Sequence, residues 1–491
     1  MSFEDQVRSI STPDRVETSI GELVFADGAP TSGTAERVYD YLDTARGVEV
    51  FLNAMPGASV QALVRGPEAL GQHRSNQVVI FDDLMDSESL FLTGNTSTLY
   101  AFPKVDLDAD GPTVVEVPPG MLGAFNDMWF RYIGDVGPAG PDGGAGGKYL
   151  LLPPRYDGDV PDDYFVCRSR TFRMWTFLRG SVADGIEAGV ANITENLKVY
   201  PLARVDDPPE MEFISGSGKA FNTVHPNNFT FYEHVAQLVE EESDEMLDVE
   251  TRGLLASVGI EKGQPFAPDE RMKRILTDAI AFANATARSL VWYPRAEGVR
   301  IYPDTDSAWM MAWENKDCFF ERNGARNLDA RSMYHYAYTA VTPAMAVSVA
   351  GKGSDYAIAF LDADKTPFDG SQTYRLHLPP NVPVNDFWAA TVYDTQTRSQ
   401  LQTSQRFPTV GSNDDHITAN PDGSYDIYFA PEPPEGHEHN WLQTVAGKSW
   451  FVGLRMYGPE QAWIDQTWRP DEIKLEGSIV TGPGMDGSER A

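Results

Sequence analysis

The side chains able to do chemistry in this sequence fall into two sets, a few histidines and a larger group of polar residues embedded among aromatics. Of the eight histidines, only His437 and His439 stand close together, on either side of Glu438. On a strand, a two-residue spacing turns both rings to one face, as some metal sites require. Here the pair follows Pro431-Glu432-Pro433-Pro434-Glu435-Gly436, a loop composition, and has no third ligand at a recognisable spacing. No metal site is therefore expected. Asp414-Asp415-His416 reads as an acidic turn rather than a cation loop. His335, between Tyr334 and Tyr336, reads as a packing histidine on a helix. Neither a Gly-x-Ser-x-Gly elbow nor a metalloprotease helix motif occurs, which leaves a serine-triad hydrolase unsupported. The glycine-rich stretch 137–147 ends in Lys148, but Tyr149 stands where a phosphate cradle needs Ser or Thr and a strand follows, so a nucleotide site is disfavoured.

The second set is more informative. Tyr100, Asp127, Trp129 and Arg131 lie in one aromatic-rich region, and Trp388, Tyr393, Asp394, Arg406, Asn440, Trp441 and Arg455 in another. Aromatic walls with a few convergent polar groups suit a small-molecule or sugar site. In an enzyme acting on a small organic molecule, Asp127 or Asp394 would serve as acid/base beside Tyr100 and Tyr393. Arg131 or Arg406 would hold an anionic group, and Trp129, Trp388, Asn440 and Trp441 would line the site. The competing reading is a non-catalytic ligand-binding or assembly protein, in which Trp and Tyr at a period of two fill a sandwich core and buried Asp and Arg pair with each other. No cofactor is named by any motif, and a homo-oligomeric state is left open.

The elements that would position these residues follow from periodicity. Apolar residues from Ala35 to Leu52 recur at helical spacing, and Asp269 to Leu290 places Met272, Ile275, Leu276, Ala279, Ile280, Ala283, Ala287 and Leu290 on one stripe. Phe231 to Met246 reads as a second helix, and Arg331 to Val349 as a third, interrupted by Pro343. Alternating strands separated by turns fill Leu90 to Val199, and again Thr373 to Tyr457. These patterns predict residues 1–86 as an N-terminal strand and helical segment, 87–205 as a first β-sandwich, 206–350 as a helical region, 351–478 as a second β-sandwich and 479–491 as a flexible tail.

The 491 residues exceed what one hydrophobic core supports, which predicts several domains. A hydrophobic content of 42% makes the chain globular despite a net charge of -33. An excess of 72 acidic over 39 basic side chains repels phosphate backbones, so nucleic acid is not an expected partner. Cys167 and Cys318, far apart, indicate no disulfide framework. The opening Met1-Ser2-Phe3-Glu4-Asp5 lacks the features of a signal peptide and no window is long and apolar enough to span a bilayer, so a cytoplasmic address without a membrane partner is expected.

Several blocks together resemble a known family. Pro383-Val384-Asn385-Asp386-Phe387-Trp388, Tyr393-Asp394, Arg406-Phe407, Asn420-Pro421-Asp422-Gly423-Ser424, Asn440-Trp441 and Leu454-Arg455-Met456-Tyr457 resemble the C-terminal half of proteins that pair the domains of unknown function 1254 and 1214. Val16 to Gly21, Phe25 to Gly28, Gly94 to Tyr100 and Asp127-Met128-Trp129 resemble the first domain. The blocks occur in the family's order across nearly the whole chain. The resemblance implies an α+β multidomain architecture, with two jelly-roll-like β-sandwich domains and a helical region between and around them. It adds Asn95 to the ligand-binding candidates. Ser97 departs from the acidic residue usual in the family, and many relatives look exported.

Overall fold

A computed structural model describes residues 2–476, so the tail expected over 479–491 lies outside the described residues. In the first β unit, a six-stranded sheet runs in the order Glu212–Ser215, Gln77–Ile80, Leu99–Asp106, Arg173–Gly180, Leu122–Asp127 and Tyr132–Val136. A four-stranded sheet runs Phe165–Arg168, Gly147–Leu152, Thr113–Val117, Lys198–Pro201. The second unit has a larger sheet in the order Ser354–Ala359, Ser449–Pro459, Val384–Asp394 and Thr409–Gly411, with Phe368–Asp369 also pairing to the Ser449–Pro459 strand. Its smaller sheet contains Trp441–Gln443, Tyr425–Ala430, Tyr374–Leu378 and Lys474–Leu475. The fold is α+β and multidomain.

The period of two along each strand sorts its side chains between two cores. From Leu99–Asp106, Leu99, Ala101 and Val105 meet Tyr149 and Leu151 of the smaller sheet. From Ser449–Pro459, Trp450, Val452, Leu454 and Met456 meet Leu376 and Ile427. The opposite faces, carrying Tyr100, Phe102, Trp175 and Phe177 from one large sheet and Ile358, Phe360, Tyr393 and Phe451 from the other, enter one shared core with the helices. Both large sheets are thus buried on both sides, and the shared core joins the two β units.

The helices of that core follow local rules. Asp269 accepts a hydrogen bond from Met272 N (2.7 Å) and starts the helix Glu270–Trp292, whose expected stripe is buried from Ile275 to Leu290 and half-buried at Met272. The helix Ser32–Arg65 is longer than its periodicity predicts. From Val50 to Val64 every residue except Leu52 and Asn53 is buried, so no polar face marks the helix beyond Leu52, and Pro56 lies inside it. In the expected third helix, Pro343 starts a new short turn, Pro343–Ala346, after Leu328–Ala337 has ended. Among the described residues no helix is long and apolar enough to cross a membrane.

Candidate functional site

The shared core encloses a cavity of about 60 Å³ where the two large sheets face each other. Tyr100, Phe177 and Arg179 come to it from the first unit, and Tyr356, Ile358, Tyr393, Phe451, Gly453 and Arg455 from the second. Trp313, Tyr334 and Tyr338 close it from the segments between. The strand alternation dictates these choices. Phe451, Gly453 and Arg455 lie on the face of their strand opposite Trp450, Val452 and Leu454, and Arg179 shares a face with Trp175 and Phe177.

The two arginines give the cavity its chemistry. Arg455 is buried; its Nη2 donates to Thr93 O (2.7 Å), its Nη1 to Thr391 Oγ1 (3.3 Å), and it lies 5.6 Å from the ring centre of Tyr393. Arg179 stands over the Phe177 ring at 5.5 Å, and its Nε has no partner among the described residues. A guanidinium stays charged at any physiological pH. The described lining of the cavity nevertheless contains no carboxylate.

Hydroxyl groups complete the polar lining. Asn95 Nδ2 donates to Tyr100 Oη (2.6 Å), Asn95 Oδ1 accepts from the backbone N of Ser97 and Thr98, and Tyr393 Oη donates to Gly94 O (2.9 Å). Burial pushes the hydroxyls of Tyr100, Tyr393 and Tyr334 above their ordinary range. They are protonated at neutral pH and act as donors. Thr93, which carries the carbonyl that Arg455 grips, has φ +47, an unfavourable setting for a β-branched residue in the cavity wall.

Asn95, Tyr100, Tyr393 and Arg455 are the residues singled out in the sequence that the structure brings together here. Asp127, Trp129 and Arg131 line a different and larger cleft of about 740 Å³, with Arg331, His335 and Cys318. There Asp127 accepts from Trp129 N (2.8 Å), Arg131 N (3.0 Å) and Arg131 Nε (2.7 Å), closing a tight turn over Phe130 at φ +57. Asp394 accepts from Gln396 N (2.6 Å) and Thr397 N (3.2 Å) and pairs with Lys448. Arg406 binds Asp83 (2.6 Å) and Asp86 (3.1 Å), a link between the two β units. Trp388 is core, edge-on to Tyr425 at 5.1 Å. Asn440 ties Thr418 N (2.9 Å) and Asp426 O (3.0 Å), and Trp441 Nε1 donates to Ala430 O (2.8 Å).

His437 and His439 meet different neighbours, His437 packing tilted against Tyr428 at 4.4 Å and His439 lying 5.6 Å from His416. Burial pushes the thiols of Cys167 and Cys318 up to about 12, which makes both unreactive. Arg179, Tyr334, Tyr338 and Tyr356 were not singled out by sequence. Their one signal is Arg179 at i+2 from Phe177 and i+4 from Trp175, which puts a charge on the aromatic face of its strand.

The segments that build this cavity fall within, or between, two family matches. Residues 75–201 match the model described as a protein of unknown function, DUF1254, and residues 353–461 match the model described as a protein of unknown function, DUF1214. The chain pairs a DUF1254 domain with a DUF1214 domain. Tyr100 and Arg179 belong to the DUF1254 match, and Tyr356, Tyr393 and Arg455 to the DUF1214 match, so the cavity lies where the two domains meet. The crystal structure of the VPA0106 protein from Vibrio parahaemolyticus is similar over 89% of this chain and 100% of that chain, with a TM-score of 0.52 and 17% identity. That likeness concerns the fold alone. An uncharacterised protein from Burkholderia cenocepacia matches over 90% of this chain and 97% of that chain with a TM-score of 0.39 and 12% identity. No curated protein matches the chain by sequence.

Proposed function

We propose that the chain binds a small organic anion, a carboxylate, in the cavity between the DUF1254 and DUF1214 domains. The observation that carries this reading is the pair Arg179 and Arg455 lining one aromatic cavity with no acidic side chain in its described lining. Buried cations are ordinarily matched by carboxylates. A chain with 72 acidic residues leaves this pair without one, and a guanidinium fork suits a carboxylate in two-point contact. Of the protonated tyrosines, Tyr100 accepts from Asn95 and keeps its own proton as a further donor, whereas the protons of Tyr393 and Tyr334 are donated to backbone carbonyls.

Binding is preferred to turnover because the described lining offers neither a carboxylate nor an imidazole to move a proton. The catalytic alternative, with Asp127 or Asp394 as acid/base, has less support, since both carboxylates already accept bonds from neighbouring turns. A thermal-shift comparison of acetate, propionate and chloride on the full chain tests the proposal. The carboxylates raise the melting temperature in proportion to ln(1 + [L]/Kd), and Arg179→Met abolishes the response. A flat response to every carboxylate, or an Arg179→Met protein that responds like the wild type, overturns it.

A further inference from the structure

The cavity is too small for a ligand of more than a few heavy atoms. Its roughly 60 Å³ compares with about 10–15 Å³ needed for each water-sized group. Four of its lining side chains, Phe177, Arg179, Met345 and Tyr356, also line a second, open cleft of about 600 Å³. The cleft is apolar for most of its extent, with Leu122, Val136, Pro138, Met345, Val347 and Val349 among its lining. Val347 and Val349 are 53% and 50% exposed, an unusual setting for two valines so close together in sequence. Besides Arg179, the charged side chains of the cleft are Lys352 and Asp386, both exposed.

Resting on the anion-binding reading above, we propose that the ligand is a single-chain alkyl carboxylate, its head group between Arg179 and Arg455 and its hydrocarbon tail in the cleft. The wall of four side chains that the two spaces share sets them side by side and argues for one amphiphilic occupant. Beyond Phe177, Arg179, Met345 and Tyr356, the surface on the far side of that wall is mainly apolar. The inner cavity alone would hold acetate; the cleft is where longer chains gain.

The test is a chain-length series, acetate, butyrate, hexanoate and octanoate, titrated into the full chain at constant ionic strength and followed by calorimetry and melting temperature. Each methylene that reaches the cleft raises affinity about fourfold, the equivalent of roughly 0.8 kcal/mol per buried methylene. Val349→Glu, at a half-exposed position that spares the fold, removes most of the gain at octanoate and leaves acetate unchanged. An affinity that stays level from acetate to octanoate overturns the tail site while the anion site stands. A gain that Val349→Glu does not alter also overturns it, because the tail then lies elsewhere. Failure of every carboxylate to bind, acetate included, overturns the anion reading and this one with it.

Discussion

Arg179 and Arg455 meet at one cavity but are bound to the fold differently, and the difference predicts opposite responses to the same substitution. Arg455 satisfies the carbonyl of Thr93 in its strained position, so Arg455→Met leaves a half-buried acceptor unpaired. It is expected to lower unfolding free energy by about 1–3 kcal/mol. Arg179 leaves its buried Nε unpaired, and a methionine fills similar space without the charge. Arg179→Met is expected to raise unfolding free energy by about 1 kcal/mol while abolishing carboxylate binding, the trade expected where a fold keeps an unfavourable group for its ligand. Urea unfolding of the two variants checks both signs; a destabilised Arg179→Met would mean that the guanidinium serves the fold. At this scale the sequence was only partly legible. Tyr100, Tyr393 and Arg455 stood out as polar groups on aromatic strands. Arg179 reads there as the charged end of an apolar run, and Tyr334 and Tyr356 come from segments that only the joining of the two β units brings near.

The elements were more legible where one face is polar and less where none is. The helix Glu270–Trp292 has a clean stripe and an aspartate cap, and its expected limits hold to within two residues. The second half of the helix Ser32–Arg65 is buried nearly all round and contains Pro56, so its 3.6-residue period carries no amphipathic signal. Its packing instead depends on small residues. A Cβ on Gly57 would lie 2.5 Å from Trp129 Cζ3 and 2.8 Å from Leu238 Cδ2. Trp129 is therefore held against the helix, which accounts for a tryptophan beside the Asp127 turn without giving it a ligand. Gly57→Ala gains about 0.5–1 kcal/mol of helix preference, but overpacking costs about 1–3 kcal/mol, so net destabilisation is expected. The control is Gly253→Ala, in the helix Val249–Ala256, where an added Cβ meets nothing within 4 Å. That variant is expected to be stabilised by up to about 1 kcal/mol. Melting curves of the pair decide the point, and equal shifts would show that Trp129 yields its space freely.

At the scale of the whole molecule, the net charge of -33 and the buried histidines act in different ranges of solution conditions. Exposed pairs such as Arg271 with Asp40 contribute little, whereas the acidic excess repels itself over the whole surface. Raising sodium chloride from about 0.05 to 0.5 M shortens the screening length severalfold and is expected to raise the melting temperature; a fall would mean that ion pairs outweigh repulsion. Acid acts through the interior. His225 lies 3.3 Å from Arg398, whose guanidinium stacks on Tyr336 at 4.2 Å, and burial together with that cation lowers the imidazole to about 3. The unfolded chain, with an ordinary imidazole near 6.5, binds the proton first. The contribution of His225 to stability is therefore complete above about pH 6.5 and is lost as the pH falls toward 3, with about 2 kcal/mol gone by pH 5. Glu242 has the opposite sign: burial raises its carboxyl to about 7, so its contribution improves between pH 7 and 4.5, and the wild-type profile alone does not isolate either group. The difference between wild type and His225→Gln does. Chemical unfolding at pH 7 and pH 5 is expected to show the wild type losing about 2 kcal/mol more than the variant over that interval. Parallel losses would mean that His225 takes up its proton in the folded state, and that Arg398 does not hold it neutral.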